Sequence, residues 1–405
     1  MNSPLNLGST ADLRRRNRDK VLNELSLSGP LSRSALIERV GVTGASVSRI
    51  TRELIDVGLV AESEALSVAG VLGRRQSLLS IRAEGAFALG VTITANRKSV
   101  TLVNALGKVV AVDMQDGLDL TEPDAAIKSL ADGGQKLVKQ SGIDPSRLVG
   151  VGVGLAVALQ PDQDLSQAVC SPVLGWEGVP LAQILSRYLE LPVKLEPRAT
   201  ALLRAVLRNK SLDIAGDVLL VNSGIGVGTA AKLGGRIVSS GSTGLGNLAH
   251  FSVPISNALC RCGRTGCLET TGSGAAVLDQ LFGWDQSNRP PFSALSQKLT
   301  EALSSAAKGE TASRKAFFRA GEMMAYGLDA AVALIGPDKL VLAGETGRQS
   351  DFVEGTLEGL KKLGGQSLAD RLVVSVATSA QASCCVALEE FIYSHRLNIS
   401  KLMAA

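Results

Sequence analysis

Histidine is the scarcest functional side chain in this sequence: 405 residues hold two, alongside six cysteines, two tryptophans and three tyrosines. No apolar run approaches the roughly 20 residues that cross a bilayer. The longest uncharged one, "LVGVGVGLAVAL" from Leu148 to Leu159, stops well short. The first thirty residues carry arginines but no apolar h-region, so no secretory leader is expected and the cytoplasm is the natural compartment. In that reducing setting cysteines serve as metal ligands or free thiols rather than disulfides. The body also lacks excess charge of either sign. Residues 83–405 balance to zero, and the whole net charge of +4 lies in residues 1–82, which hold eleven Arg, one Lys and eight acidic residues. A basic end on a neutral body suits a polyanion partner at that end alone. A solvated arginine-rich face is the alternative.

What is present is globular: 45% hydrophobic and 20% charged residues, over a length that calls for two or three domains. Leu13, Val21, Leu22 and Leu25 space an amphipathic helix that ends near "SGP". Ser32 is placed to cap a second helix with Leu36, Ile37 and Val40 inward, Gly41 to turn the chain, and Thr43 to cap a third helix reaching about Val57. That third helix sets Val47, Ile50, Thr51 and Leu54 on one side and Ala45, Arg49, Arg52 and Asp56 on the other, with Ser46 and Ser48 on the flanks. Helix, tight turn, then a helix with a small-residue and arginine face is the helix-turn-helix arrangement, whose second helix enters the DNA major groove. Two short strands around a loop holding Gly73, Arg74 and Arg75 would form a wing, with arginines suited to a narrow minor groove or only to solvating a linker. The expected DNA-facing set is Ser34, Thr43, Ala45, Ser46, Ser48, Arg49, Arg52, Arg74 and Arg75. A small helical protein-interaction domain is the competing reading.

From Ala88 onward strands alternate with helices, in two α/β units that each open on strand hairpins, which suggests a bilobed body with a cleft. "NSGIGVGTAAKLGG" puts Gly224, Gly226 and Gly228 directly after a strand, where a sugar or phosphate can approach the backbone, or where a hairpin simply packs tightly. "HFSVPISNALCRCGRTGC" gathers His250, Cys260, Cys262 and Cys267, with Gly263 and Gly266 letting the loop fold back. One His and three Cys make a closed tetrahedral site, so Zn2+ there would be structural rather than catalytic. Cys170, Cys384 and Cys385 sit in apolar stretches and pack as small hydrophobes.

Together these residues resemble the ROK family, which groups bacterial repressors with sugar kinases of the actin-like fold. Its mark, G-E-x-G-H followed by C-x-C-G-x-x-G-C-x-E, is matched by "GNLAHFSVPISNALCRCGRTGCLE" except that Asn247 stands for the Glu and Ala249 for the second Gly. "SRSALIERVGVTGASVSRITRELIDVGLV" is similar to the winged helix-turn-helix of the family's regulators, in particular the N-acetylglucosamine and xylose repressor subgroup. The resemblance implies an α/β chain in three parts: a winged helix-turn-helix and linker over residues 1–82; an actin-like (ribonuclease H-like) lobe over 83–198, completed by a C-terminal helix at 385–405; and a second lobe over 199–384 carrying the zinc loop and an oligomerisation surface.

It also implies what has been lost. Where the family's kinases have D-x-G-G-T, the chain has Thr92, Thr94, Ala95 and Asn96, which offer no carboxylate or paired glycines for magnesium and phosphate. Arg198 stands where the catalytic base belongs, and a guanidinium cannot accept a proton. No catalytic residues are therefore expected. Of the sugar-contacting groups Glu269 and His250 remain, while Asn247, Arg198 and Val173 replace two carboxylates and an Asn. An effector site of Arg198, Asn247, His250 and Glu269 would then favour a sugar phosphate or sugar acid over a neutral sugar. The alternative is that Arg198 forms an internal salt bridge and the pocket holds nothing. The expected function is a repressor of carbohydrate genes, binding a pseudo-palindromic double-stranded operator as a homodimer or homotetramer. A residual sugar kinase and a regulator controlled by a protein partner are the rival readings.

Overall fold

The computed structural model describes residues 10–64, 77–95, 97–115, 119–157, 168–209, 211–212, 214–239, 247–285 and 287–403. The chain opens with helix α1 (Thr10–Ser28), then a two-residue strand β1 (Leu31–Ser32), helices α2 (Arg33–Val40) and α3 (Gly44–Asp56), and strands β2 (Val60–Glu64) and β3 (Ser77–Ile81). Both expected caps form: Ser32 Oγ accepts from the Ala35 amide at 3.2 Å and Thr43 Oγ1 from the Ser46 amide at 3.4 Å. Gly41 closes α2 at a φ of 63°, a left-handed conformation that a side chain would strain. Val47, Ile50, Thr51 and Leu54 are buried on α3, as their spacing requires. Two inward assignments need correction: Leu13 is 59% exposed and Ile37 is 37% exposed. The buried part of α1 begins only where the rest of the chain covers it, at Arg18, Val21, Leu22 and Leu25. The strands pair in the order β1-β3-β2, and β1 carries no periodic signal because it is only two residues long.

Strands β4 (Phe87–Ile93), β5 (Lys98–Asn104) and β6 (Val109–Met114), helix α4 (Pro123–Ser141), strand β7 (Leu148–Leu155), a small hairpin of β8 (Val169–Ser171) and β9 (Trp176–Val179), helix α5 (Leu181–Leu189) and strand β10 (Val193–Pro197) come next. Helix α6 (Arg198–Arg208) leads into strands β11 (Val218–Ser223), β12 (Val227–Leu233) and β13 (Arg236–Ser239). They are followed by helices α7 (Gly274–Phe282), α8 (Phe292–Ala307) and α9 (Thr311–Ile335), strand β14 (Lys339–Ala343), helices α10 (Gly344–Gly347) and α11 (Ser350–Ala369), strand β15 (Leu372–Val374), and helices α12 (Ser379–Phe391) and α13 (Ile399–Met403). The two five-stranded sheets run β6-β5-β4-β7-β10 and β13-β12-β11-β14-β15. In both, the first three strands form an antiparallel meander and the last two join in parallel, so one topology is used twice.

The C-terminal segment ties these parts together. Helix α12 lies on β4 and β7, and a Cβ on Gly152 would sit 2.3 Å from Ala387 N and Ser383 O, so the glycines of "VGVGVGL" let a helix backbone rest on the sheet. This helix starts at Ser379, ahead of the expected 385, because Thr378 and Gln381 form a capping box there. One continuous buried cluster then joins Leu22, Leu25, Leu36 and Leu54 of the N-terminal helices to Leu388, Phe391, Ile392, Leu397 and Leu402. Polar contacts follow the same seam. Arg18 Nη2 donates to Leu397 O at 3.1 Å, Asn23 to Tyr393 O at 2.6 Å, and Arg147 to the carbonyls of Val57 and Gly85. No helix among the described residues is long and apolar enough to cross a membrane.

Candidate functional site

Two surfaces gather the residues singled out above. On the first, Ala45, Ser48, Arg49 and Arg52 stand exposed along α3, with Ser34 and Thr43 exposed nearby and Ser46 half-buried. Thr43 Oγ1 also contacts Ser46 Oγ at 3.0 Å, and Ser34 Oγ meets Ser32 Oγ at 2.8 Å, so these hydroxyls already have one local partner. No described residue pairs with Arg49 or Arg52. Glu53, one position beyond Arg52, faces back to α1, where it meets Arg14 at 2.9 Å and Arg18 at 3.9 Å. The helix is thus braced from behind while its arginines face water. Arg74 and Arg75 lie outside the described residues.

The second surface is a cavity of about 730 Å³ between the two sheets, lined by all four of Arg198, Asn247, His250 and Glu269. Arg198 is the first residue of α6, directly after β10. Its Nη2 donates to Ile93 O at 3.2 Å, its buried Nε has no hydrogen-bond partner, and no described carboxylate lies within ion-pair distance. Burial presses this guanidinium below its ordinary value, and the nearby charge of Glu345 works against that. Holding a cation at the positive end of a helix without a counter-ion is unfavourable, so the position has a cost that a bound anion would offset. Asn247 is exposed and opens the short helical turn Leu248–His250. Val173, from the turn between β8 and β9, and Thr94 and Ala95, from the tip of the β4–β5 hairpin, also line the cavity. Thr94 Oγ1 accepts from the Arg97 amide at 2.8 Å and Lys98 Nζ donates to Ala95 O at 2.9 Å, so this turn closes on itself. Asn96 lies outside the described residues.

The metal-type cluster forms one wall. The ligand atoms of His250, Cys260, Cys262 and Cys267 all lie within 4.8 Å of one another, with His250 Nδ1 3.7 Å from Cys260 Sγ and Cys262 Sγ 3.6 Å from Cys267 Sγ. Those separations fit a tetrahedral ion, whose ligand edges at a Zn–S bond of about 2.3 Å come to about 3.8 Å. Burial holds the His250 imidazole below its ordinary value, leaving a neutral ring with a lone pair to give. Burial also pushes Cys267 up to about 12, whereas at Cys262 hydrogen bonds from Arg264 outweigh burial and bring the thiol to about 7. With one imidazole and three thiol donors this close together, the four residues can hold a metal ion.

Residues not anticipated from sequence also reach the cavity: Arg97, Arg261, Glu345 and Arg348. Arg261 forks onto Glu269, with Nε 2.9 Å from Oε2 and Nη2 3.1 Å from Oε1. Its signal was its place between two metal-ligand cysteines, eight residues before the carboxylate. Gly226 acquires a specific reason as well: a Cβ there would lie 2.9 Å from Glu269 Oε1, so this glycine makes room for the buried carboxylate.

A xylose repressor from Caldicellulosiruptor bescii is 24% identical over 88% of this chain and 89% of its own. The DNA-binding transcriptional dual regulator NagC of Escherichia coli K12 is 26% identical over 84% of this chain and 82% of its own. Among solved structures, a ROK family transcriptional regulator described as a homologue of the E. coli MLC protein covers 97% of this chain and all of its own, with a TM-score of 0.74 at 20% identity. A ROK hexokinase from Thermus thermophilus covers 74% of this chain and 96% of its own, with a TM-score of 0.57 at 18% identity. The fold is therefore the α/β fold shared by ROK regulators and ROK sugar kinases, and the hexokinase match leaves about a quarter of the chain uncovered. The ROK family model itself matches residues 88–386, and the chain belongs to the ROK family.

Proposed function

We propose that this chain is a DNA-binding transcriptional repressor of carbohydrate genes whose ROK body senses a small sugar derivative. The observation that carries the reading is the exposed, unpaired face of Ala45, Ser48, Arg49 and Arg52 on a capped helix that is joined through one core to the ROK fold. Residues 1–82 act as a winged helix-turn-helix, with α3 in the major groove and Arg74 and Arg75 in the wing. Residues 83–198 and 199–384 are the two actin-like lobes, the first completed by the C-terminal helix. The repressor and regulator names of its relatives support this assignment. Operator and protein symmetry would match in a homodimer or homotetramer on a pseudo-palindromic site. His250, Cys260, Cys262 and Cys267 hold Zn2+ in a closed structural site, which fixes the loop and opens no position for water.

Phosphoryl transfer is not part of the proposal. Arg198 occupies the position of a base, and the turn at Thr94 satisfies its own backbone where a kinase would receive phosphate. Arg198, Asn247, His250 and Glu269 form the effector site, and the unpaired guanidinium favours a sugar phosphate or sugar acid. Release follows when the body shifts the N-terminal helices. Helix α6 reaches from Arg198 at the cavity to Arg208, about 15 Å along the helix axis, where Arg208 donates to Ser26 of α1 at 2.6 Å and stacks over Tyr393.

The test is to recover genomic fragments retained by the purified chain, then titrate the complex with glucose, glucose 6-phosphate and gluconate. Specific retention near sugar-metabolism genes and release by a phosphorylated or acidic sugar are the expected results. No salt-sensitive DNA retention would defeat the repressor reading. Phosphate transfer from ATP to any of these sugars would restore the kinase one.

A further inference from the structure

Glu269 is the most buried acid facing the cavity, at 4% exposure, and both its oxygens are engaged by the Arg261 fork, beside which Gly226 leaves room for Oε1. A neutral sugar is held by acceptors for its hydroxyl hydrogens, and carboxylates are the strongest such acceptors. A carboxylate already in a bidentate guanidinium pair has little acceptor capacity left in the plane of that pair. The remaining charged side chains at the cavity are Arg97, Arg198, Arg348 and Glu345, so donors outnumber acceptors. Arg261 owes its position to the metal-type loop, because it lies between Cys260 and Cys262, whose backbones a bound ion would fix.

We infer that Arg261 is a specificity-determining residue: by occupying Glu269 it turns a pocket suited to neutral polyols into one selective for small anionic sugar derivatives, those bearing a phosphate or carboxylate. The inference rests on the effector reading above and names the residue that sets its selectivity. The ion pair costs little to keep, since Glu269 would otherwise be a buried, uncompensated charge. It also makes selectivity depend on the metal loop, which is what delivers the guanidinium.

The experiment is calorimetric titration of the full-length, metal-loaded chain with glucose, glucose 6-phosphate, gluconate and inorganic phosphate. The wild-type chain should bind at least one sugar anion about tenfold more tightly than glucose. In Arg261→Gln, with metal content and melting unchanged, the ratio of glucose to anion affinity should swing about tenfold toward glucose, because Glu269 is released. Arg261→Lys should stay nearer to wild type. An unchanged ratio in a metal-replete Arg261→Gln protein overturns the inference. Should Arg261→Gln lose its metal, Arg261→Met decides by the same ratio, since it too removes the fork onto Glu269. An unchanged ratio in a metal-replete Arg261→Met protein overturns the inference equally. A wild-type chain that prefers glucose, or binds none of the four, overturns the effector reading first and this inference with it, whereas anion preference without an Arg261 effect removes the inference alone.

Discussion

Arginine does two different things in this molecule. On α3, Arg49 and Arg52 stand in water without a described partner, held outward by a helix whose other face is buried. At the cavity, Arg198 is half-buried and bonded to a single carbonyl, while Arg261 stays exposed at the rim and forks onto a buried carboxylate. An exposed array can meet a long polyanion and trade its counter-ions, whereas a half-enclosed pair meets one small anion in fixed geometry. Residue type alone therefore says little, and the accessibility of each guanidinium sets the size of ligand it can serve.

The comparison can be attacked from its inner side first. Cys267→Ser, or a strong chelator, should release the loop that carries Arg261, remove about 4 kcal/mol or more of stability and lower the melting temperature by roughly 10 °C, read by calorimetry alongside metal analysis. Unchanged melting would mean that the cluster holds no structural ion. Next in size is salt. Between about 50 and 200 mM, operator affinity should fall about a thousandfold by gel shift or anisotropy if the outer arginines and their neighbours make several phosphate contacts, while effector affinity changes far less. Equal salt slopes for both ligands would erase the distinction drawn here. On the outer side, Arg49→Ala should lose about 1 to 3 kcal/mol of operator affinity and relax base preference, and wild-type selectivity in a panel of altered operators would exclude a base-reading role. The smallest effect concerns the strand pair beside α2. Arg33 and Ser77 hold the Glu62 carboxyl down at about 2, with an Arg33 Nη2 to Oε2 contact of 2.8 Å. Because that value is below the unfolded one, the contribution is complete above about pH 4.5 and fades as pH falls toward 2. Glu62→Gln should therefore melt lower than wild type at neutral pH, by about 1 kcal/mol at most, and the difference should close in acid.

Much of this was legible in the chain. Ser32, Gly41 and Thr43 announce their caps and turn because each signal is local, and α3 shows its buried face because its period is long enough to read. The cysteine stretch is legible for the same reason, since its glycines and ligands lie within eighteen residues. What was not legible depends on distant neighbours. Leu13 looks like a core residue by spacing but is 59% exposed, and Arg261 shows its partner only once Glu269 is placed beside it. Nor does any local pattern reveal that the N-terminal helices need Phe391 and Leu397 to close their core.

That last dependence sets a schedule for synthesis. The N-terminal helices are made well before Phe391, Ile392 and Leu397, which share their buried cluster. Domains usually fold as they emerge, but here the N-terminal helices keep part of their core unfinished until that later segment arrives. A chain cut short before Phe391 would therefore lack a finished N-terminal core even though every residue of those helices had been translated.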